Sequence, residues 1–320
     1  MSNVQMVCGF PASGKSTVTK KLLSDRHWQE NKNEEAVILN RDTEGGTIAQ
    51  LLPKMEQLLI NNKDIILDNL FPTIESRKPF IELVKKYKSK IGCIVMSSSI
   101  EDSTFNFVQR AIGILGTFPN PEEIKKAKHP NVFPPVVMFK YKKEFQKPTQ
   151  EEGFDSVIIW KFIRRRESTF INKAIILDYD GTLRECIGGN GKYPVSEEQI
   201  EIKPNRKAVL DKYKAEGYLL LGMSNQSGIA KGELTIEKAH ELFKHTNKLL
   251  GVDIEYNFCP HQSAPISCYC RKPMQGKFVE MMLKHKLDPK QCWMVGDFTS
   301  DATFAKRSGI QYMDQADFFK

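Results

Sequence analysis

Two groups of residues in this 320-residue chain have the types and spacing that phosphate chemistry requires. The first group, Gly9-Phe10-Pro11-Ala12-Ser13-Gly14-Lys15-Ser16, fits the pattern G-x-x-x-x-G-K-S/T between a predicted strand and a predicted helix. In such a loop, backbone N–H groups surround nucleotide phosphates, the lysine reaches the terminal phosphates and the hydroxyl ligates Mg²⁺. The pattern predicts ATP or GTP binding by Gly9, Ser13, Gly14, Lys15, Ser16 and Thr17, with Ser16 as a magnesium ligand.

A carboxylate follows the second predicted strand, in the segment Asn40-Arg41-Asp42-Thr43. Phosphoryl transfer to an alcohol needs a base that accepts the hydroxyl proton, so Asp42 is a candidate catalytic base and Arg41 a candidate substrate contact. Spacing alone also allows a helix cap or a solvated side chain. Arg77 and the basic run 125–128 are candidate contacts to a phosphodiester backbone, with solvated surface charge as the alternative.

The second group begins with Asp178-Tyr179-Asp180, which follows the apolar run Ala174–Leu177. Residues i and i+2 of an extended segment face the same way, so one aspartate could attack phosphorus while the other moves a proton. Further polar residues follow two later strands or lie between them: Ser224, Asn225, Lys272, Asp297 and Asp301. The set predicts a phosphate and magnesium site, with Asn225 as a candidate substrate contact and Asp301 as a candidate metal ligand.

A third cluster lies in a polar loop between these pieces, as Cys259-Pro260-His261 and Cys268-Tyr269-Cys270. Three thiolates and one imidazole can close a tetrahedral zinc shell, and a closed shell is structural. The sequence therefore predicts zinc bound by Cys259, His261, Cys268 and Cys270; unmetallated cysteines are the alternative.

The elements that must position these residues alternate between short apolar runs and amphipathic stretches in both halves of the chain. This alternation predicts α/β architecture with parallel sheets, and the length predicts two domains, 1–167 and 168–320. The predicted linker is the polar stretch 164–172, and 118–135, with its prolines, is predicted to be a lid-like loop.

Composition and charge restrict the function classes. The chain is 40% hydrophobic and carries +8, of which +6 falls in 1–167, a balance that permits an anionic partner. Apolar runs are too short for a membrane span, and the first strand leads directly into the glycine loop, so we expect neither a membrane segment nor a signal peptide. With the clustered cysteines, this predicts an intracellular protein, cytoplasmic or nuclear and not secreted.

The first half resembles the kinase module of the polynucleotide kinase-phosphatase family across most of residues 4–162. The resemblance rests, in order, on Gly9–Thr17, Asn40–Thr43, Ile66-Leu67-Asp68-Asn69, Asn106 with Arg110, and Pro148 through Glu152-Gly153-Phe154. It implies that Asp42 activates a nucleic-acid 5′-hydroxyl and that Arg110 is a lid arginine on the ATP phosphates.

Residues 174–312 resemble the haloacid-dehalogenase superfamily of phosphatases. That resemblance implies Asp178 as the nucleophile of an aspartyl-phosphate, Asp180 as general acid and base, and Ser224 and Lys272 as phosphate ligands. It also implies Asp297 as a magnesium ligand, together with Asp178 and the Asp180 carbonyl. The zinc loop is similar to that of the histidinol-phosphate and heptose-bisphosphate phosphatases.

Together these resemblances predict an enzyme with ATP, magnesium and zinc that phosphorylates 5′-hydroxyl ends and removes 3′-phosphates of DNA or RNA, leaving ends for a ligase. Two alternatives stay open. One is a sugar or nucleoside kinase fused to a sugar-phosphate phosphatase, which the zinc loop favours. The other is a nucleotide-dependent sensor or binding protein, which the intact candidate catalytic residues disfavour.

Overall fold

The structure is a computed structural model that describes residues 1–25, 28–29, 35–164, 167–188 and 193–320. By its internal contacts the chain divides into two compact units. The first comprises 1–107 and 136–164, and the second comprises 108–135 and the described residues after 164. The predicted linker includes residues 165–166, which lie outside the described residues, and the boundary at 167/168 stays a prediction.

The first unit is built on a parallel five-stranded sheet in the order β2-β3-β1-β4-β5. Its strands are β1 (Asn3–Cys8), β2 (Val37–Leu39), β3 (Ile65–Asp68), β4 (Lys90–Met96) and β5 (Ser156–Trp160). The helices are α1 (Lys15–Ser24), α2 (Arg41–Glu44), α3 (Leu52–Ile60) and α4 (Ile74–Lys86); α5 (Ile100–Leu115) and α7 (Pro135–Glu144) continue beyond it. The alternation of short apolar runs predicted strands of this kind. Most residues of β1, β3 and β4 are buried, whereas those of β5 are partly or fully exposed.

The second unit has its own parallel sheet in the order β10-β9-β6-β11-β12 and a small antiparallel pair, β7-β8. The strands are β6 (Asn172–Leu177), β7 (Arg184–Cys186), β8 (Ile200–Ile202), β9 (Leu219–Asn225), β10 (Glu255–Cys259), β11 (Leu287–Gly296) and β12 (Gln311–Asp314). The helices are α6 (Pro121–Ala127), α8 (Arg206–Ala215), α9 (Ser227–Ala230), α10 (Ile236–Leu250), α11 (Gly276–His285), α12 (Thr299–Ser308) and α13 (Gln315–Phe318). The α/β prediction is confirmed for both halves.

The segment 118–135 is not the irregular loop that its prolines suggested. Asn120 caps α6 by accepting from the Glu123 backbone N–H, and Pro121 occupies the first turn, where its missing N–H costs nothing. Within the second unit, the Tyr269 hydroxyl donates to the Phe133 carbonyl at 3.2 Å, and Lys277 lies 4.0 Å from the centre of the Phe118 ring. This segment is therefore packed beside the cysteine loop.

The described residues include no helix long and apolar enough to cross a membrane.

Candidate active sites

The glycine loop follows the central strand of the first sheet. Gly14 caps α1 with a φ of 92°, a left-handed conformation that favours glycine, and it turns the chain from strand to helix. A Cβ on Gly9 would lie 2.7 Å from the Met96 Cβ, so that position also needs glycine. The Lys15 ammonium donates to the carbonyls of Gly9 (3.1 Å) and Phe10 (2.8 Å) in its own loop. Ser13 is buried, while Ser16 and Thr17 are exposed at the start of the helix.

Ser16 has a partner that the motif did not include. Its hydroxyl donates to an Asp68 carboxylate oxygen at 3.2 Å, because β3 and β1 are neighbours and both end at this edge of the sheet. A hydroxyl and a carboxylate are oxygen ligands suited to Mg²⁺, so the pair fits a magnesium site. Asp68 was quoted above only as part of a resemblance, and its place at a strand end was the signal for its role.

Asp42 lies in the four-residue helix α2, beyond the end of β2. The Asn40 side chain caps this helix by accepting from the Asp42 backbone N–H at 2.7 Å. Arg41 and Asp42 form an exposed ion pair at 3.1 Å, with 47% and 38% of their side chains exposed. Both are therefore accessible to an acceptor substrate.

Asn69 holds this helix from the neighbouring strand. Its side-chain oxygen accepts from the Arg41 N–H at 3.0 Å, and its amide donates to the Leu39 carbonyl at 3.2 Å. The two bonds fix the backbone on both sides of Asn40, so Asn69 is a positioning residue that sequence reasoning did not single out.

Arg77 is not a surface cation, and its prediction as a substrate contact is wrong. Its side chain is fully buried and forms two hydrogen bonds to Glu152, at 2.7 and 2.9 Å, with a third to the Phe71 carbonyl. A guanidinium held in this way stabilises the fold and cannot contact a phosphodiester. Arg110, the predicted lid arginine, is half-buried, belongs to the second unit and donates to the Asn131 carbonyl at 3.3 Å.

In the second unit, Asp178 lies at the carboxyl end of β6 in a cluster of buried charge. The Lys272 ammonium lies 2.9 Å from Asp178 and 2.7 Å from Asp301, and both Lys272 and Asp301 are almost fully buried. Burial raises the pKa of Asp178 to about 7, against the lowering effect of Lys272. The single positive charge of Lys272 therefore does not neutralise the negative charges of the carboxylates in this cluster.

Asp297 completes the acidic group beside Asp178. One carboxylate oxygen from each of Asp178, Asp297 and Asp301 lies within 4.8 Å of the others. Burial and the neighbouring Asp301 charge raise the pKa of Asp297 as well. A Cβ on Gly181, whose φ is 84°, would collide with the Asp297 carboxylate, so the close approach requires glycine. Crowded carboxylates with raised pKa values fit a divalent cation bound through oxygen.

Asp180 is held by two residues that the motifs did not identify. Arg184, which is fully buried, donates to one carboxylate oxygen at 2.8 Å and anchors itself on Thr246. The Gln226 amide donates to the other oxygen at 2.7 Å and to the Ser224 hydroxyl at 3.0 Å. These bonds orient Asp180 and connect it to the predicted phosphate ligand.

Asn225, which the sequence predicted to contact substrate, bonds to the backbone of Lys272. Its side chain accepts from the Lys272 N–H at 2.9 Å and donates to the Lys272 carbonyl at 3.0 Å. Both ends of the amide are used, so Asn225 positions the backbone of Lys272 and is not free to bind substrate.

The four predicted zinc ligands come together at the end of β10. The Cys259 sulfur lies 3.7 Å from that of Cys268 and 3.2 Å from that of Cys270, and His261 Nδ1 lies 3.5 and 3.2 Å from Cys259 and Cys270. With Zn–S bonds near 2.3 Å, a tetrahedral shell has S–S edges of about 3.8 Å. The hydrogen-bonded thiols Cys259 and Cys268 raise the pKa of His261 to about 10. The donor set and its spacing fit zinc.

Comparison with known proteins agrees with this geometry. The family profile described as HAD-hydrolase-like matches residues 269–313. A D-glycero-beta-D-manno-heptose-1,7-bisphosphate 7-phosphatase from Pasteurella multocida is 33% identical over 150 residues, which are 44% of this chain and 79% of that protein. This chain belongs to the HAD-like phosphatase family. The match places the HAD-like signature in the second unit, around Lys272, Asp297 and Asp301.

Two further proteins are similar over a wider part of the chain. A bifunctional polynucleotide phosphatase/kinase from Schizosaccharomyces pombe is 28% identical over 169 residues. The matched region covers 52% of this HAD-like chain and 36% of that protein. A chain in a solved Pnkp1/Rnl/Hen1 complex covers 98% of this chain and 96% of its own length, with 15% identity and a TM-score of 0.35. The latter similarity is too low to support an inference about function.

Proposed function

We propose that this chain is a bifunctional nucleic-acid end-processing enzyme. Its first site phosphorylates a 5′-hydroxyl with ATP, and its HAD-like site removes a 3′-phosphate. The observation that carries the proposal is that one chain has a glycine loop near an accessible carboxylate and, separately, a buried aspartate paired with a buried lysine. The Schizosaccharomyces pombe relative, by its name, combines the same two activities.

In the kinase reaction, Asp42 accepts the proton of the acceptor hydroxyl as its oxygen attacks the γ-phosphorus and the bond to the β-phosphate oxygen breaks. Lys15 leaves the carbonyls of Gly9 and Phe10 to contact the phosphates. Ser16 and Asp68 would hold magnesium, which neutralises phosphate charge when bound. Arg41 contacts the acceptor.

In the phosphatase reaction, an Asp178 oxygen forms a bond to phosphorus while the bond to the leaving 3′-oxygen breaks and Asp180 gives that oxygen a proton. A water oxygen then forms a bond to phosphorus while the bond to the Asp178 oxygen breaks. Asp180 accepts the proton of the water, and phosphate is released. Ser224 and Lys272 bind the phosphate oxygens. Asp178, Asp297, Asp301 and the Asp180 carbonyl would hold magnesium, which would offset the negative charge of the site.

The cluster of Cys259, His261, Cys268 and Cys270 would hold zinc as a structural ion. These four side chains would fill a tetrahedral shell and leave no ligand position for water. Its role is to order the loop that ends two residues before Lys272.

The substrate class follows from the pairing of activities and from charge. The region 1–167 carries +6 of the +8 net charge, and cationic surface is the general source of sequence-independent affinity for DNA or RNA. We propose a kinase domain at 1–167, a phosphatase domain at 168–320, an intracellular location and a ligase as the enzyme that uses the processed ends.

A second candidate function is dephosphorylation of a small sugar phosphate. The Pasteurella multocida relative and the cysteine cluster favour it. The glycine-loop unit with Asp42 disfavours it, since a heptose-bisphosphate 7-phosphatase needs no nucleotide.

Rates on two kinds of phosphate monoester separate the candidates. The full chain, loaded with magnesium and zinc, receives a 3′-phosphate oligonucleotide and, separately, heptose-1,7-bisphosphate and histidinol phosphate; labelled ATP with a 5′-hydroxyl oligonucleotide tests the kinase. We expect the larger kcat/KM on the oligonucleotide, and binding that weakens steeply with salt. Turnover of a sugar phosphate with no reaction on either oligonucleotide would reject the proposal.

A further inference from the structure

Arg164 lies four residues beyond the end of β5 and is held in a fixed orientation in the first unit. Its terminal nitrogens donate to the Asn106 side-chain oxygen at 3.1 Å and to the Asp102 carboxylate at 2.9 Å. The guanidinium carbon lies 3.8 Å from the centre of the Phe105 ring, which is almost fully buried. The Phe162 ring is a second aromatic neighbour, 5.5 Å from the guanidinium carbon, so two polar partners and two rings hold the plane of Arg164.

The same network reaches the glycine loop. The Asn106 amide donates to the carbonyl of Ala12 at 3.0 Å, and Ala12 lies inside the loop with a φ of 59°. Ser98 adds a second link by donating to the Ser13 carbonyl at 3.4 Å. A single side chain, Asn106, therefore joins Arg164 to the loop that the sequence predicts to hold nucleotide phosphates.

The bonding of Arg164 suits a stacking contact better than a phosphate contact. Its terminal nitrogens are already donating, and the Asp102 carboxylate balances its charge at close range. About a third of the side chain, 32%, is nevertheless exposed. The Phe162 ring lies farther from the guanidinium carbon, at 5.5 Å, than a close stack requires, so a nucleic-acid base can stack on the part of the guanidinium that is exposed.

We infer that the exposed side of Arg164 stacks on the base of the nucleotide bound at the glycine loop. The inference rests on the proposed nucleotide binding and adds a base contact to it. Because stacking uses the π-face that every base has, Arg164 supports ATP and GTP about equally and gives little discrimination between them.

Calorimetric titration of the full chain tests this with three ligands: ATP, GTP and inorganic tripolyphosphate, which has the phosphates without a base. Arg164→Lys keeps the charge and removes the plane, and Arg164→Ala removes both. The matched control is Lys161→Ala, an exposed cation in the same segment. We expect both Arg164 variants to bind ATP and GTP roughly tenfold more weakly and tripolyphosphate unchanged, with no effect of the control.

Two results would overturn the inference. An equal loss for tripolyphosphate would mean that Arg164 only braces the loop through Asn106, and unchanged ATP affinity would mean that it makes no contact. If the unmodified chain bound tripolyphosphate and nucleotides equally well, no base contact would exist. Binding of none of the three would instead reject the proposed nucleotide site, a distinguishable failure.

Discussion

The candidate nucleophile and the candidate base occupy opposite kinds of environment. The Asp178 side chain is 12% exposed and lies against the buried pair Lys272 and Asp301. The Asp42 side chain is 38% exposed, and its ion pair is with its neighbour Arg41 in the same short helix. The fold assembles the charges of the phosphatase site in advance. In the kinase site, much of the charge must arrive with the nucleotide and the acceptor.

The lysines of the two sites, Lys15 and Lys272, differ in the same way. Its ammonium donates to loop carbonyls, so a phosphate must replace these partners, while Lys272 already lies between two carboxylates. A preassembled site couples chemistry to stability, because its charges are desolvated by folding. In an exposed site, a substitution can change the activity without changing the stability.

The largest loss of activity is expected from a substitution of Asp178, the buried candidate nucleophile. Asp178→Asn should reduce phosphatase activity at least ~10³-fold, because an amide cannot form the aspartyl-phosphate. The kinase rate should stay within about twofold of its original value, and Asp253→Asn, on the surface of the same unit, is the control. Dephosphorylation that survives Asp178→Asn would show that the assignment of the nucleophile is wrong.

The exposed base gives the converse prediction. Asp42→Asn should lower the kinase rate roughly 10²–10⁴-fold, the usual contribution of a general base, and leave phosphatase activity unchanged. Because Asp42 is exposed, the melting temperature should not change. Glu44→Gln in the same helix should retain both activities, and a comparable loss there would point to damage to the helix and not to lost base catalysis.

Arg77 tests the difference between buried and exposed charge within the first unit. Arg77→Ala leaves Glu152 buried without its partner and should lower the free energy of unfolding by about 3–5 kcal/mol. Lys78→Ala, one residue away and exposed, should cost almost nothing. Denaturant unfolding measures both, and equal stability of the two variants would contradict the structural role.

Loss of the proposed zinc should have the smallest effect on the chemistry, since an ion in the cysteine cluster would order a loop and take no part in the reaction. Cys268→Ser should lower the bound zinc measured by mass spectrometry and slow dephosphorylation roughly tenfold through the position of Lys272. Cys186→Ser, outside the cluster, is the matched control. Full phosphatase activity in a verified zinc-free protein would break this link.

The sequence predicted the residues whose role is local and missed those whose role depends on distant partners. The glycine loop and the pair Asp178 and Asp180 follow strands directly, so their place at a sheet edge could be read from the chain. The bond from Ser16 to Asp68 spans 52 residues and that from Gln226 to Asp180 spans 46, and no motif encodes such pairing.

Arg77 illustrates why a charge could be misread. Its partner Glu152 is 75 residues away, and nothing in the local sequence separates a buried arginine from a solvated one. Asn225 was misassigned for a similar reason, because the Lys272 backbone that uses its amide lies 47 residues away.

The central claim, that two separate sites act on the ends of one nucleic acid, is tested most directly with a single oligonucleotide that carries a 5′-hydroxyl and a 3′-phosphate. With ATP and magnesium, mass spectrometry should show a 5′-phosphate and a 3′-hydroxyl for the unmodified chain. Asp42→Asn should change only the 3′ end and Asp178→Asn only the 5′ end. An oligonucleotide left unchanged by a chain that hydrolyses heptose-1,7-bisphosphate would contradict the account.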